Sequence, residues 1–209
     1  MIHLYNKDCM EAMANMKDKE FDLAIVDPPY GIGIDGQKKA ICKNPKHNRK
    51  HFEHKGWDSC PPSKEYFQEL FRVSKHQIIW GANYYPQHLF SSKGWIIWDK
   101  GQKELSMSDC ELAFSSFNRA TRIFVCNRGA LAQEGTIHPT QKPIKLYTWL
   151  LDKYAQPGWK ILDTHLGSGS SAIAAHNMGF EFYGYELDTE YFEAASKRLQ
   201  QHQRQLKLF

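Results

Sequence analysis

The stretch KILDTHLGSGSSA at residues 160–172 decides the fold class. Its first four residues are typical of a short buried strand, and glycines at 167 and 169 with Ala172 satisfy the turn pattern G-x-G-x-x-A. Glu186 follows nineteen positions after Gly167, at the end of the strand-like run 180–186. Glycines let a ligand approach the backbone, and a carboxylate at the next strand end accepts hydrogen bonds from ribose hydroxyls. The stretch predicts a nucleoside cofactor at the carboxyl end of a sheet. Nicotinamide dehydrogenases and methyltransferases that use S-adenosylmethionine (AdoMet) share this geometry, so both stay open at this point.

Short apolar runs alternate with helical patterns along the rest of the chain. The runs predict strands at residues 2–4, 21–26, 77–80, 94–98, 110–114, 121–126, 160–163 and 180–186. The patterns between them predict helices at 10–16, 64–73, 143–154, 170–178 and 189–203. This alternation indicates an α/β fold with a mostly parallel central sheet. Since 209 residues suit one domain, we expect residues 1–209 to form a single unit.

Composition excludes several other classes of protein. Apolar runs such as 95–98 fall far short of the roughly 20 residues of a membrane span, and residues 1–8 do not resemble an export signal. We therefore expect a cytoplasmic protein without a membrane segment. Five cysteines, without a C-x-x-C pair, favour reduced thiols over a disulfide or zinc framework.

A second motif, DLAIVDPPYG at residues 22–31, ends a buried-type strand with two prolines. Because proline cannot donate to a strand ladder, the chain must leave the sheet there. Asp27 and the carbonyl groups beside Pro28 and Pro29 then become fixed acceptors, and Tyr30 supplies an aromatic face. These groups suit an exocyclic amino group on a flat base, which donates two hydrogen bonds while its ring stacks.

The segment 31–62 is too long for a simple connection and is strongly basic. Between Gly36 and Gly56 it carries a net charge of +6, more than the +4 of the whole chain. We interpret it as a basic loop inserted after the second motif that binds DNA phosphates. Its candidate DNA-binding residues are Lys38, Lys39, Lys43, Lys46, Arg49 and Lys50. The histidines and the cysteine scattered among them are typical of a solvated cationic tract, so no metal is expected.

A third motif, HPTQKP at residues 138–143, precedes a predicted helix, with Thr140 or Gln141 expected near its N-cap. A helix start presents unpaired N–H groups that suit a carboxylate, such as the amino-acid tail of AdoMet. Two further interpretations concern single residues. Asn83 and Tyr84 are candidates for lining a base pocket, and Lys100 is taken as a surface lysine.

Together the three motifs resemble the β class of DNA amino-methyltransferases. The order is that of the class, with DPPY at 27–30, then HPTQKP at 138–143, then the glycine-rich motif at 163–170. Residues 6–11 also resemble the N-terminal segment that lies near the AdoMet adenine in this class. The resemblance implies a single Rossmann-like methyltransferase domain with circularly permuted motif order.

The resemblance also implies the site residues. The catalytic set would be Asp27, Pro28, Pro29 and Tyr30. The AdoMet-binding set would be Asp8, Cys9, His138, Thr140, Gln141, Lys142, Asp163, Thr164, His165, Leu166, Gly167, Ser168, Gly169, Ser170 and Glu186. Thr164 and His165 depart from the Pro-Phe usual in the class, and loss of the Phe ring is expected to weaken cofactor packing.

The implied function is transfer of a methyl group from AdoMet to N6 of adenine in DNA, since DPPY is found mostly in adenine enzymes. A cytosine-N4 methyltransferase, a nicotinamide dehydrogenase and a non-catalytic DNA-binding protein are the alternatives. Double-stranded DNA is the expected partner, while a homodimer, a companion restriction endonuclease and a place in restriction-modification stay open. Residues 118–137 form a short target-recognition segment in this interpretation.

Overall fold

A computed structural model describes residues 1–36, 38, 51–102, 108–127 and 135–205. Its strands are β1 (Ile2–Asn6), β2 (Phe21–Val26), β3 (Ser74–Trp80), β4 (Ile96–Asp99), β5 (Cys110–Ser115), β6 (Arg122–Val125), β7 (Lys160–Asp163) and β8 (Glu181–Glu186). Its α-helices are α1 (Cys9–Met13), α2 (Lys64–Val73), α3 (Ile144–Tyr154), α4 (Ser170–Asn177) and α5 (Thr189–Arg204). Two short 3-10 turns follow β3 at Ala82–Tyr84 and Pro86–His88.

The strands form one sheet in the order β1-β8-β7-β2-β3-β5-β4-β6. β5 runs antiparallel to both of its neighbours, and the other pairings in the described sheet are parallel. The sheet confirms the predicted α/β class and its mostly parallel strands. Because β5 is reversed, its first residues lie at the edge where the parallel strands end.

Helices cover both faces of the sheet. On β2, Leu23 and Ile25 belong to the core cluster that contains α3 and α4, while Ala24 and Val26 belong to the cluster that contains α1 and α2. Successive strand residues point to opposite faces, so this continuous apolar strand is buried on both sides. The carboxyl edge of the sheet is left for binding.

The first helix shows the largest difference from its predicted bounds. The first helix begins at Cys9, since Asp8 accepts hydrogen bonds from the N–H groups of Met10 and Glu11 at 2.7 and 3.1 Å. It ends at Met13 instead of reaching residue 16. Within the described ranges, no helix is long and apolar enough to cross a bilayer.

Candidate active site

Acidic side chains from four strands meet at the carboxyl edge of the sheet. Asp163 and Glu186 end β7 and β8, and Asp27 directly follows β2. Glu111 joins them from the reversed strand β5, where it lies opposite Trp98. The order of the strands, with β7 between β8 and β2, therefore brings distant parts of the sequence to one edge.

A first cavity of about 440 Å³ opens at this edge. It lies between the ends of β1, β7 and β8 and the segment before α3. Among the residues that line it are twelve of the fifteen predicted cofactor residues: Asp8, Cys9, His138, Thr140, Gln141, Lys142, Thr164, His165, Leu166, Gly167, Ser168 and Glu186. Burial raises the pKa of the Cys9 thiol to about 12, so this thiol is neutral.

The glycine turn and Glu186 are tied together by backbone hydrogen bonds. Oε2 of Glu186 accepts from the N–H of Gly167 at 2.8 Å, and Oε1 accepts from the N–H of Asp188 at 3.0 Å. Each carboxylate oxygen keeps a further lone pair for a hydroxyl group. Gly167 has a φ of +51°, and a Cβ built there would stand 3.8 Å from the ring of His138, which also lines the cavity. A side chain at 167 would thus enter the space that a ligand needs.

Three of the predicted cofactor residues, Asp163, Gly169 and Ser170, contact neighbouring protein groups and do not line the first cavity. Asp163 accepts hydrogen bonds from the Ser171 hydroxyl at 2.6 Å and the His165 N–H at 3.0 Å. A Cβ on Gly169 would meet Ala195 of α5 at 3.2 Å, and the hydroxyl of Ser170 lies 3.1 Å from that of Ser168. Since none of the three lines the first cavity, their direct contact with a cofactor stays a prediction. Burial raises the pKa of Asp163 to about 7.

The two departures from the class motif are joined by a tyrosine from α2. The hydroxyl of Tyr66 lies 2.7 Å from Oγ1 of Thr164, which in turn lies 3.0 Å from Nδ1 of His165. The imidazole packs edge-on against the Tyr66 ring at 5.3 Å. Burial lowers the pKa of His165 to about 4, so the ring is neutral and can take the place of an aromatic residue in this wall.

The HPTQKP segment forms the opposite wall, although α3 begins later than predicted. The N-cap residue is Pro143, so Thr140 and Gln141 lie in the preceding turn. The side chain of Gln141 holds that turn, since it accepts from the N–H of Ile137 and donates to the carbonyl of Gly135, both at 3.0 Å. Burial lowers the pKa of His138 to about 3, which makes this imidazole neutral.

Residues 55–57 also line the first cavity, and sequence reasoning missed their role there. The ammonium of Lys55 donates to both carboxylate oxygens of Asp188 at 2.9 and 2.8 Å and to Glu190 at 2.7 Å. Trp57 packs against His138 with ring centroids 5.2 Å apart. Burial alone would lower the pKa of Lys55, but these hydrogen bonds outweigh it and raise the pKa. The end of the basic segment is thereby attached to α5 beside the cavity.

A second cavity of about 480 Å³ lies on the other side of the DPPY motif. All four predicted catalytic residues line it, together with Asn83, Tyr84, Lys100 and Glu111. Asp27, Pro29 and Lys142 are among the residues that line both cavities. A group at this shared wall can therefore contact a ligand in either cavity.

Asp27 belongs to a charged network at the shared wall. Its Oδ1 accepts from the hydroxyl of Tyr30 at 2.7 Å, and its Oδ2 pairs with the ammonium of Lys142. Burial raises the pKa of Asp27, and Lys142 offsets that rise only in part. The Tyr30 ring lies nearly parallel to that of Tyr84, with centroids 5.0 Å apart.

The sequence did not indicate that Glu111 and Lys100 belong to this network. Glu111 accepts from Lys142 at 3.0 Å and from Lys100 at 2.9 Å. The side chain of Lys100 is 9% exposed, so its interpretation as a surface lysine is wrong. The reason is its pairing with Glu111, which depends on the direction of β5. Burial would raise the pKa of Glu111, but the two ammonium groups lower it.

The predicted DNA-binding set is described at one position. Lys38 is exposed, while Lys39, Lys43, Lys46, Arg49 and Lys50 lie outside the described residues. The boundaries 31–62 and 118–137 remain predictions.

Comparisons with known proteins agree with this geometry. The family model described as DNA methylase, of the N6/N4 type, matches residues 92–197, just over half of the chain. The chain belongs to this family of DNA methylases. AdoMet is the methyl donor of the family and the cofactor of this methylase.

Individual relatives of this methylase are distant but cover most of its length. The type II methyltransferase M.HpaI of Haemophilus parainfluenzae is 22% identical over 92% of this chain and 72% of its own. The crystal structure of the M1.HpyAVI–SAM complex superposes with a TM-score of 0.63 at 21% identity, covering 95% and 99% of the two chains. The cytosine-N4-specific PvuII DNA methyltransferase gives a TM-score of 0.62 at 14% identity, with 94% and 86% covered. These structures show the shared fold.

The residues of the first cavity fit AdoMet. The space at Gly167 is free of a side chain, Glu186 can accept hydrogen bonds from ribose hydroxyls, and neutral rings from His138 and His165 supply flat walls. When bound, AdoMet supplies an electrophilic methyl group on a sulfonium.

Proposed function

We propose that this DNA methylase transfers the methyl group of AdoMet to N6 of adenine in double-stranded DNA. The observation that carries the proposal is the position of Asp27 and Pro29 in the wall shared by the two cavities. With the cofactor in the first cavity and a base in the second, the DPPY motif stands where methyl donor and acceptor meet.

The target base must leave the duplex to reach this wall. Unstacking and unpairing cost about a few kcal/mol, which the pocket must offset. The parallel rings of Tyr30 and Tyr84 offer the base an aromatic stacking surface beside Asp27. Base–aromatic stacking contributes about 1–3 kcal/mol, enough to offset much of that cost.

Asp27 and the carbonyl of Pro28 would hold the amino group through its two N–H donors. Because Lys142 favours the ionised carboxylate, Asp27 is an acceptor in the resting site. Its carboxylate oxygens retain lone pairs beyond those used by Tyr30 and Lys142. Burial, which raises the pKa of Asp27, also suits this carboxylate to take up the proton that the amino group loses. The contribution of the protein is thus positioning and electrostatic alignment.

Adenine is favoured over cytosine by the aspartate of the motif, since the class carries DPPY mostly in adenine enzymes and SPPY mostly in cytosine-N4 enzymes. Cytosine-N4 transfer is the second candidate, supported by the likeness to the PvuII enzyme, whose fold is the same. Both bases present an exocyclic amino group, so the acceptors at Asp27 and Pro28 suit either.

Modification-sensitive long-read sequencing tests the proposal. DNA from cells that express the wild-type protein should carry N6-methyladenine at one short sequence, and DNA from cells that express Asp27→Ala should not. Asp22→Ala is the matched control, because Asp22 lies at the opposite end of β2 and pairs with Lys75. N4-methylcytosine at a defined site would support the second candidate, and unmodified DNA would contradict both.

A further inference from the structure

A tight turn follows the DPPY motif and is held by one buried carboxylate. Asp58 is 0% exposed, and its side chain accepts from the N–H groups of Gly31, Ile32 and Ile34 at 2.8, 3.3 and 2.9 Å. The carbonyl of Asp58 also accepts from Gly33 at 3.0 Å. Gly31 has a φ of +73°, and a Cβ there would come within 2.5 Å of Pro61. The turn is therefore fixed in place before any ligand arrives.

This fixed turn presents two isoleucines to solvent. Ile32 is 48% exposed and Ile34 is 47% exposed, and both line the second cavity beside Tyr30. Burial of an isoleucine side chain is favourable relative to leaving it exposed to water. The turn thus holds two large apolar side chains at the mouth of the cavity without burying them.

We propose that Ile32 and Ile34 form an apolar wedge that enters the base stack as the target base swings into the second cavity. This inference rests on the proposed function and adds the residues that would fill the space left by the base. Proteins that distort DNA commonly insert isoleucine, leucine or phenylalanine between base steps.

Charge supports duplex DNA as the occupant of this surface. In the sequence the turn is followed by the segment 36–56, whose net charge of +6 favours binding to the phosphate backbone of DNA. A rigid wedge is also favourable, because little conformational entropy is lost when it inserts. Ile32 and Ile34 would thus keep the pair open after Tyr30 and Asp27 engage the base.

The test compares two duplexes that carry the recognition sequence found by sequencing. One is fully paired, and the other has an abasic site opposite the target base, so that unpairing costs little. The double variant Ile32→Ala/Ile34→Ala should lower kcat/KM on the paired duplex by about tenfold or more and regain most of that activity on the abasic duplex. The AdoMet affinity of the double variant, measured by calorimetry, should match that of the wild type. Such a match would show that the variant is folded.

Phe90→Ala is the matched control, since Phe90 is another exposed large apolar residue that lines neither cavity and lies outside the segments 31–62 and 118–137. It should leave both duplexes unaffected. The wedge is wrong if the double variant equals the wild type on paired DNA, or if its activity falls by the same factor on both duplexes. A wild-type protein that methylates neither duplex would instead refute the proposed function.

Discussion

The ammonium nitrogen of Lys142 lies 3.0 Å from Oε2 of Glu111 and also pairs with Oδ2 of Asp27. The side chain of Lys142 is 2% exposed, so both ion pairs are formed away from bulk water. Desolvation makes such a charge costly unless its partners remain in place. One lysine therefore holds two carboxylates together at the wall between the cavities.

Lys142→Met should destabilise the protein by about 3–5 kcal/mol, because it leaves two neighbouring buried carboxylates without their shared cation. Urea unfolding at neutral pH measures this destabilisation. Without the cation, the pKa values of Asp27 and Glu111 should rise in the folded variant, so part of the missing stability should return as the pH is lowered.

Lys75→Met provides the control for that substitution. Lys75 pairs with Asp22, but its side chain is 53% exposed, so its replacement should change the stability by less than about 1 kcal/mol. Equal effects of the two substitutions would show that the buried network contributes no more than a surface ion pair.

Glu111→Gln should move the acidic limb of the pH profile of kcat/KM to lower pH. The ionised carboxylate of Asp27 accepts a hydrogen bond from the amino group of the target base. Activity should therefore fall as the pH drops through the pKa of Asp27. Burial is the largest cause that raises the pKa of Asp27, and the negative charge of Glu111 raises it further. Removing that charge should lower this pKa. An unchanged limb, or a shift to higher pH, would rule out electrostatic coupling of Glu111 to Asp27.

Glu186→Ala should weaken AdoMet binding, because the variant lacks an acceptor for ribose hydroxyls and the partner of the Gly167 N–H. Removal of hydrogen bonds to a charged group predicts a drop in affinity of about tenfold or more. Calorimetry measures it, with Glu181→Ala at the other end of β8 as the control. If Glu186→Ala binds AdoMet with wild-type affinity, Glu186 does not contribute to the cofactor site.

Replacing Lys46, Arg49 and Lys50 with alanine should weaken DNA binding and flatten the dependence of log K on log salt. The slope should fall by about 0.9 for each phosphate that the variant no longer neutralises. This prediction rests on the sequence, since these residues lie outside the described part of the chain. AdoMet affinity should stay unchanged. A triple variant with the wild-type slope would show that other residues hold the phosphates.

The fold and the cofactor cavity were largely predictable from the sequence. The period of the apolar runs located each of the eight strands, and local motifs located Gly167 and Glu186, because a glycine turn and the next strand end are set by neighbouring residues. The direction of individual side chains could not be predicted in this way. The carboxylate of Asp163 accepts a hydrogen bond from the Ser171 hydroxyl, a contact that the local motif does not indicate.

The charged network could not be predicted, for a topological reason. Glu111 reaches Lys142 only because β5 runs antiparallel and its first residues lie at the carboxyl edge of the sheet. Strand direction depends on long-range pairing and leaves no local pattern in the sequence. The contact of Lys55 with Asp188 likewise joins residues far apart in the chain.

Identification of the modified base is the most direct test of the central claim. Purified protein would be incubated with unmodified duplex DNA and AdoMet carrying a labelled methyl group, and the DNA would be digested to nucleosides and analysed by mass spectrometry. The label should appear in N6-methyladenine with the wild type and fall below detection with Asp27→Ala, while Asp27→Ala retains AdoMet binding. Label in N4-methylcytosine, or activity of Asp27→Ala within about tenfold of the wild type, would contradict the assignment.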